Sequence, residues 1–131
     1  MGDLIKEMLD KKIWAVLGAS TNPDKFGYKI YKTLKENGYT VYPVNSRAEE
    51  IDGDKCYPDL NSLPEKPQVV NFVIPPAMTE KEIEKCKGLG IENLWIQPGA
   101  GSPKAVRLAQ EGNMKVIYNK CVMVELGKYS K

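Results

Sequence analysis

The sequence predicts an α/β protein built on a parallel sheet of five to six strands, with helices on both faces of the sheet. Short runs rich in Val, Ile and Leu alternate along the chain with segments whose apolar residues recur at helical spacing. Continuous apolar runs of strand length are typical of parallel strands that are covered on both faces. Because strands and helices alternate, the sequence favours a doubly wound, Rossmann-like fold, with strand order 3-2-1-4-5-6 if the short third strand pairs.

Each predicted element depends on its apolar pattern and on the turn residues that end it. Strands are predicted at residues 13–17, 40–45, 69–74, 93–97 and 115–118, with a turn and a short edge strand within 50–58. Helices are predicted at residues 3–10, 27–37, 79–88 and 103–111, with a helical turn at 121–126. The third helix has a start signal, because Thr79 can act as N-cap with Glu82 three residues later. Pro43 interrupts the pairing of the second strand.

The length of 131 residues predicts one domain over 1–131, with a leader helix over 1–11 and a loose tail over 127–131. Hydrophobic residues make up 42% and charged residues 27% of the chain, as in ordinary globular proteins. A net charge of +2 argues against a nucleic-acid surface, and the apolar runs are too short to span a membrane. The N-terminus lacks the pattern of a signal peptide. We therefore expect a cytoplasmic protein that binds neither nucleic acid nor membrane, and leave a homodimer open.

The chain contains no histidine, which excludes the commonest general base, the commonest metal ligand and a Ser-His-Asp triad. Its three cysteines, Cys56, Cys86 and Cys121, are far apart and have no C-x-x-C spacing. This spacing indicates neither a disulfide framework nor a zinc site. We therefore predict no catalytic residues and no metal ligands.

Candidate binding residues lie at the carboxyl ends of the predicted strands, because open parallel sheets bind ligands there. All of these strand ends are polar or turn-forming. In chain order they are Gly18, Ala19 and Ser20; Asn45, Ser46 and Arg47; Ile74, Pro75 and Pro76; Gln97, Pro98 and Gly99; and Asn119, Lys120 and Cys121. The first group leads into a helix, and a turn of small residues before a helix N-terminus is a typical site for a phosphate group.

The pattern around this turn selects among nucleotides. An NAD site needs G-x-G-x-x-G and an acid after the second strand, but Gly18 is followed by Ala and Ser and the second strand ends in Asn45. A Walker-type ATP loop is also absent. Arg47 after the second strand favours a phosphorylated ribose, which leaves NADP or coenzyme A (CoA).

The sequence resembles the small single-domain CoA-binding proteins, which are related to the CoA-binding domain of the succinyl-CoA synthetase α subunit. The resemblance depends on five motifs that follow one another within residues 12–126, namely VLGASTNPDKFG, YPVNS, FVIPP, QPGA and NKCVMVE. It implies a Rossmann-like domain that binds CoA or an acyl-CoA, without implying a catalysed reaction. Two positions depart from the family pattern: many relatives carry an acid in place of Asn71 and a basic residue in place of Ile74.

The resemblance also implies roles for the candidate residues. Gly18, Ala19, Ser20 and Thr21 would contact the pyrophosphate. Lys25, in the loop before the helix, is a further candidate cofactor-binding residue. Asn45, Ser46 and Arg47 would lie near the ribose 3′-phosphate and adenine, Ile74 and Pro75 would flank the adenine or ribose, and Gln97, Pro98 and Gly99 would border the pantetheine arm. Solvated surface charges are the alternative interpretation of Lys25 and Arg47.

The leading hypothesis is thus a module that binds CoA or an acyl-CoA and performs no chemistry of its own. One alternative is an NADP(H)-binding protein or a fragment of an acyl-CoA-linked enzyme. A second alternative is an interaction module that responds to CoA or to redox state, in which Cys121 forms a mixed disulfide with CoA. We interpret Cys121 first as a half-buried structural cysteine, because free cysteines are among the most buried residues.

Overall fold

The computed structural model describes residues 2–129 of the chain. Its helices are α1 (Gly2–Leu9), α2 (Phe26–Glu36), α3 (Pro76–Leu89), α4 (Pro103–Glu111) and α5 (Val122–Tyr129). Its strands are β1 (Ile13–Leu17), β2 (Thr40–Val44), β3 (Glu50–Ile51), β4 (Asp54–Lys55), β5 (Val69–Phe72), β6 (Asn93–Ile96) and β7 (Lys115–Tyr118), with one 3-10 turn at Leu60–Ser62. None of the described helices is long and apolar enough to cross a membrane.

Five strands form one parallel sheet in the order β2-β1-β5-β6-β7. The chain runs from β1 outward to β2 and then returns to the other side of β1 to add β5, β6 and β7 in turn. This order confirms the doubly wound α/β fold predicted from the sequence. The reversal of direction places the switch point between β1 and β5, where sheets of this kind bind ligands.

The predicted third strand does not join this sheet, so the condition for the six-stranded order 3-2-1-4-5-6 is not met. Instead β3 and β4 pair with each other in an antiparallel hairpin. Its turn consists of Asp52 and Gly53, whose φ angles of 52° and 86° suit a tight two-residue connection. After the hairpin, Tyr57 makes a single bridge to the main sheet, in parallel register with Val44.

Two apolar layers cover the sheet. Helices α1, α2 and α5 pack on one face, and α3 and α4 pack on the other. Alternate residues of β1 serve the two layers, since Trp14 and Val16 face the first while Ala15 and Leu17 face the second. Helices therefore lie on both faces, as predicted, and the strands are buried on both sides.

The predicted start of the third helix is wrong. α3 begins at Pro76 with Pro75 as its N-cap, so Thr79 lies buried inside the helix. Proline suits the first helical position because its fixed φ is already helical and no N–H partner is needed there. The Pro75-Pro76 pair thus ends the strand and starts the helix within a few residues.

The predicted loose tail over 127–131 is also wrong over its described part. α5 continues to Tyr129, and its residues Val122, Glu125 and Leu126 are buried. Burial of these positions explains why the helix runs beyond the single turn predicted at 121–126. The end of the predicted tail, residues 130–131, lies outside the described residues.

The leader helix α1 forms within the predicted range and lies against β7 and α5. Its apolar face is buried through Ile5, Met8 and Leu9. Lys115 Nζ of the edge strand β7 donates to the Glu7 carboxylate at 2.6 Å. This helix therefore covers the sheet edge opposite β2, far from the switch point.

The outer edge at β2 is covered by the chain itself. Pro43 has no N–H, and its carbonyl accepts a hydrogen bond from the Tyr57 N–H at 2.9 Å. The Asn45 N–H donates to the Tyr57 carbonyl at 2.9 Å. Pro43 thus lies in an edge strand, where a missing ladder donor is tolerated.

The β3–β4 hairpin is held against α2 by two ion pairs. Lys32 Nζ lies 2.6 Å from the Asp52 carboxylate, and Lys35 Nζ lies 2.8 Å from the Asp54 carboxylate. The Tyr31 hydroxyl also donates to Asp54, and burial together with this carboxylate raises the pKa of Tyr31 well above its usual value. These contacts fix the segment that follows the end of β2.

Candidate functional site

A cleft of about 1020 Å³ opens at the switch point of the sheet. Its floor is formed where β1 and β5 end, at Gly18 and at Val73 and Ile74. The loop after β2 forms one wall, and the N-terminal ends of α2 and α3 form the others. This is the position at which a doubly wound sheet binds a ligand.

Two glycines allow α2 to begin directly against the end of β1. A Cβ atom at Gly27 would lie 2.1 Å from the Gly18 carbonyl oxygen, a distance that real Cβ atoms do not reach. A Cβ atom at Gly18 would lie 2.4 Å from the Val73 carbonyl oxygen, and Gly18 has a φ of 103°. The pair does the work of the first and third glycines of a dinucleotide fingerprint, which permit a tight turn and close helix–strand packing. Because Gly18 and Gly27 are nine residues apart, they do not match the G-x-G-x-x-G motif.

The N-terminus of α2 faces the cleft without a side-chain cap. Lys25 is the N-cap residue and makes no side-chain hydrogen bond to the first turn. Two side-chain oxygens of the preceding loop bond within the loop instead of capping the helix. Ser20 Oγ accepts from the Asn22 N–H and Asn22 Oδ1 accepts from the Asp24 N–H, both at 3.0 Å. Uncapped N–H groups and the helix dipole together favour an anion at this place.

Asn45 joins the two loops that border the cleft. Its Nδ2 donates to the Ala19 carbonyl at 2.7 Å, and its Oδ1 accepts from the Arg47 N–H at 2.8 Å. One side chain thereby sets the position of the turn after β1 and of the loop after β2. A carboxylate could not make the first of these bonds, because it has no N–H to donate.

Two cations of the cleft are without a carboxylate partner among the described residues. No Asp or Glu oxygen in that part of the chain lies within 4.0 Å of Lys25 or Arg47. Lys85, a third cation in the lining, pairs instead with Glu82 at 3.4 Å on the same helix. The unpaired positive charge therefore lies near the α2 N-terminus and the β2 loop.

Two large apolar side chains of the lining are exposed and were not predicted as site residues. Phe26, the first residue of α2, is 61% exposed, and Met78 in the first turn of α3 is 51% exposed. Exposed apolar side chains in a concave site suit the flat or aliphatic parts of a ligand. Phe26 could have been suspected from its place directly after the polar loop, whereas Met78 has no such signal in the sequence.

The structure brings most of the predicted residues together in the cleft. Those that line it are Gly18, Ser20, Lys25, Asn45, Ser46, Arg47, Ile74 and Pro75. Ala19 is buried beneath them and takes part through its carbonyl. Thr21 and Pro98 are exposed and are not part of the lining of either opening.

Gln97 and Gly99 line a second, separate cavity of about 430 Å³, between the ends of β6 and β7 and helix α4. The Gln97 side chain is buried, and its oxygen is hydrogen-bonded within the protein. Its Oε1 accepts from Asn71 Nδ2 at 3.1 Å and from the Val122 N–H at 2.9 Å. These bonds link β5, β6 and α5 through the Gln97 oxygen, and they fix the side chain where it lines the cavity.

The three thiols differ in accessibility, since Cys56 and Cys86 are buried and Cys121 is partly exposed. Burial raises the pKa of Cys56, and it raises the pKa of Cys86 to about 12.

We therefore expect DTNB to modify one thiol per folded chain, Cys121, and all three thiols after unfolding in urea. Cys121→Ser should remove the reaction of the folded protein. Rapid modification of two thiols in the folded wild-type protein would contradict the burial of Cys56 and Cys86.

Comparisons with known proteins agree with this geometry. A family model described as CoA binding domain matches residues 12–127. The alpha subunit of ADP-forming acetate–CoA ligase II from Pyrococcus furiosus is 33% identical over 119 residues, which cover 82% of this chain and 26% of that subunit. The chain thus spans about a quarter of the length of that curated relative.

Other relatives match along most of their own length. The uncharacterized protein YneT from Bacillus subtilis is 28% identical over 92% of this chain and 90% of its own. The solved structure of a hypothetical protein from Pyrococcus horikoshii OT3 superimposes with a TM-score of 0.93, at 32% identity, over 99% of this chain and 92% of its own. These matches confirm the resemblance inferred from the five motifs. With a family model that covers nearly all of its described residues, the chain belongs to the family of CoA binding domains.

Proposed function

We propose that this chain binds CoA or an acyl-CoA in the switch-point cleft and catalyses no reaction of its own. The observation that supports this most strongly is the uncapped N-terminus of α2, with Lys25 and Arg47 unpaired among the described residues. CoA carries a pyrophosphate and a separate ribose phosphate. A site with two distinct places for negative charge suits such a ligand better than it suits a nucleoside.

The residues of the cleft fit the parts of CoA. The close approach of Gly18 and Gly27 leaves backbone N–H groups at the start of α2 free of side-chain cover, which suits the pyrophosphate. Arg47, held by the bond from its N–H to Asn45, lies where the ribose phosphate would pair with a guanidinium. Phe26 and Met78 supply apolar surface for the adenine or the start of the pantetheine arm.

The proposed lack of chemistry is supported by the residues that face the cleft. Ser20 is a candidate nucleophile in the lining, but its oxygen accepts from the Asn22 N–H and the sequence contains no histidine to activate it. The basic side chains of the lining are lysine and arginine, which pair well with phosphate groups. Of the three carboxylates in the lining, Asp24, Asp59 and Glu82, the last is paired with Lys85.

Isothermal titration calorimetry on the full chain tests the proposal with CoA, acetyl-CoA, dephospho-CoA, NADPH and NADH. We expect CoA to bind about tenfold more tightly than dephospho-CoA, because a charge-assisted pair with Arg47 contributes about 1.5 kcal/mol. Arg47→Ala should remove this difference, and Lys104→Ala, which removes a positive charge outside both openings, should retain it. Binding of NADPH or NADH without binding of CoA would overturn the proposal.

The absence of chemistry has its own test. Acetyl-CoA incubated with the purified protein should be recovered unchanged, as measured by chromatography against a buffer control. Consumption of the thioester above the buffer rate, lost in the Lys25→Ala/Arg47→Ala variant, would show an activity and contradict that part of the proposal.

A further inference from the structure

The second cavity lies beside the cleft, and both open at the carboxyl ends of the parallel strands. Its floor begins at Ile96, the last residue of β6, and Gln97 N–H donates to the carbonyl of Phe72 on the neighbouring β5 at 3.0 Å. The two openings are thus lined by adjacent strands, β5 for the cleft and β6 for the cavity. Neighbouring strands lie about 4.8 Å apart, so the end of β6 is roughly 10 Å from the end of β1.

The walls of the cavity are mainly apolar. Ile96 from the sheet, Pro103 and Val106 from α4 and Tyr118 from β7 supply the apolar surface, and Gln110 and Asn119 are polar residues of the same lining. A volume of about 430 Å³ is within the range of small-molecule pockets. Such walls favour an aliphatic group over a phosphate or a sugar.

The polar features of the cavity include the N-terminus of α4 and the side chain of Arg107, and of these two only the first is hydrogen-bonded within the described part of the chain. The α4 N-terminus is closed, because Ser102 Oγ accepts from the Ala105 N–H at 3.0 Å and also donates to the Glu80 carboxylate at 2.6 Å. It therefore offers no open anion site. Arg107, one turn further along α4, lines the cavity, and in the described part of the chain no carboxylate lies within 4.0 Å of its guanidinium.

We propose that this cavity receives the acyl group of a CoA thioester, and that Arg107 pairs with a carboxylate at the far end of that group. The inference rests on the proposed function, since the nucleotide part of the ligand occupies the cleft. From there the pantetheine arm crosses the ends of β5 and β6 and delivers the thioester to the cavity. The apolar walls then contact the methylene chain, and the guanidinium contacts the terminal carboxylate. The preferred ligands are thus thioesters of dicarboxylic acids.

Calorimetry with three compounds tests this: CoA, pentanoyl-CoA and glutaryl-CoA, whose acyl groups have the same number of carbons and differ in the terminal carboxylate. The wild-type chain should bind glutaryl-CoA about tenfold more tightly than pentanoyl-CoA, as expected for a charge-assisted pair. Arg107→Ala should abolish that preference and leave the affinity for CoA unchanged. Lys104→Ala is the matched control, because it removes a positive charge from the same helix at a position outside the cavity lining, and should keep the preference.

A second variant tests the cavity rather than the charge. Val106→Phe narrows the space between α4 and the sheet, and should weaken both thioesters at least about tenfold relative to CoA. Equal affinities of the wild-type chain for the two thioesters, or a preference that survives in Arg107→Ala, would overturn the inference while leaving CoA binding intact. If none of the three compounds binds the wild-type chain, the proposed function itself fails, and this inference with it.

Discussion

Gly27→Ala is expected to lower the free energy of unfolding by about 3 kcal/mol, the upper part of the range for overpacked sites. The added Cβ atom would meet the Gly18 carbonyl oxygen at 2.1 Å and the Ala19 Cα atom at 3.3 Å. Both are backbone atoms, so no rotamer change can relieve the contact. Helix α2 must move away from β1, and that movement disrupts the apolar layer to which Ile30 and Leu34 belong. Urea denaturation followed by circular dichroism measures the loss.

The matched control is Gly88→Ala. Gly88 lies in α3, is exposed, and has no atom within 4 Å of the position that a Cβ would take. Alanine is there expected to stabilise the protein by about 0.5 kcal/mol, since it favours the helical backbone. Similar unfolding midpoints for the two variants would contradict the close approach of α2 to β1.

Asn45→Asp is expected to weaken CoA binding about 100-fold. The substitution keeps the size of the side chain but removes the donor that holds the Ala19 carbonyl at 2.7 Å. It also places a negative charge beside the loop of Arg47, which we propose to contact the ribose phosphate. Loss of the hydrogen bond and repulsion of the ligand charge contribute roughly 1–2 kcal/mol each, and together give an effect of this size.

Two comparisons separate the two causes. Asn45→Ala removes both hydrogen bonds without adding charge, and should weaken CoA binding by only about tenfold. Dephospho-CoA should lose less affinity than CoA in Asn45→Asp, because it lacks the phosphate that the new carboxylate repels. Calorimetry gives the affinities, and thermal unfolding shows whether each variant is folded. Equal losses for CoA and dephospho-CoA would contradict the placement of the ribose phosphate beside Arg47.

The fold could be predicted from the sequence because its strands have clear local sequence signals. Residues 13–17 and 93–97 are short apolar runs with clear turn residues after them, and parallel strands must be buried on both faces. The start of α3 could not be predicted, since Thr79 satisfies the pattern of an N-cap while the nearby prolines equally well end a strand or begin a helix. In the structure α3 begins at the prolines, and Thr79 is buried inside the helix.

The site was predicted in part for similar reasons. Topology brings the residues after β1, β2 and β5 into one cleft, so Gly18, Asn45 and Ile74 are correctly grouped by their positions at strand ends. Gln97 also follows a strand, but a position along the chain does not say where a side chain points. Its oxygen bonds to Asn71 and Val122, which are distant in sequence, and the side chain lines the second cavity instead of the cleft. The exposure of Met78 likewise depends on tertiary packing and has no local signal.

The covered edge at β2 has a consequence for self-association. A bare edge strand is a template for strands of other molecules, and natural proteins block such edges to prevent aggregation. Here the proline in β2 removes one donor, and the residues around Tyr57 already pair with the polar backbone atoms beside it. At Pro43 and Asn45 the edge therefore offers a second copy of the chain no free backbone partners, which disfavours extension of the sheet there. A dimer that joined at this part of the edge would depend on contacts between side chains.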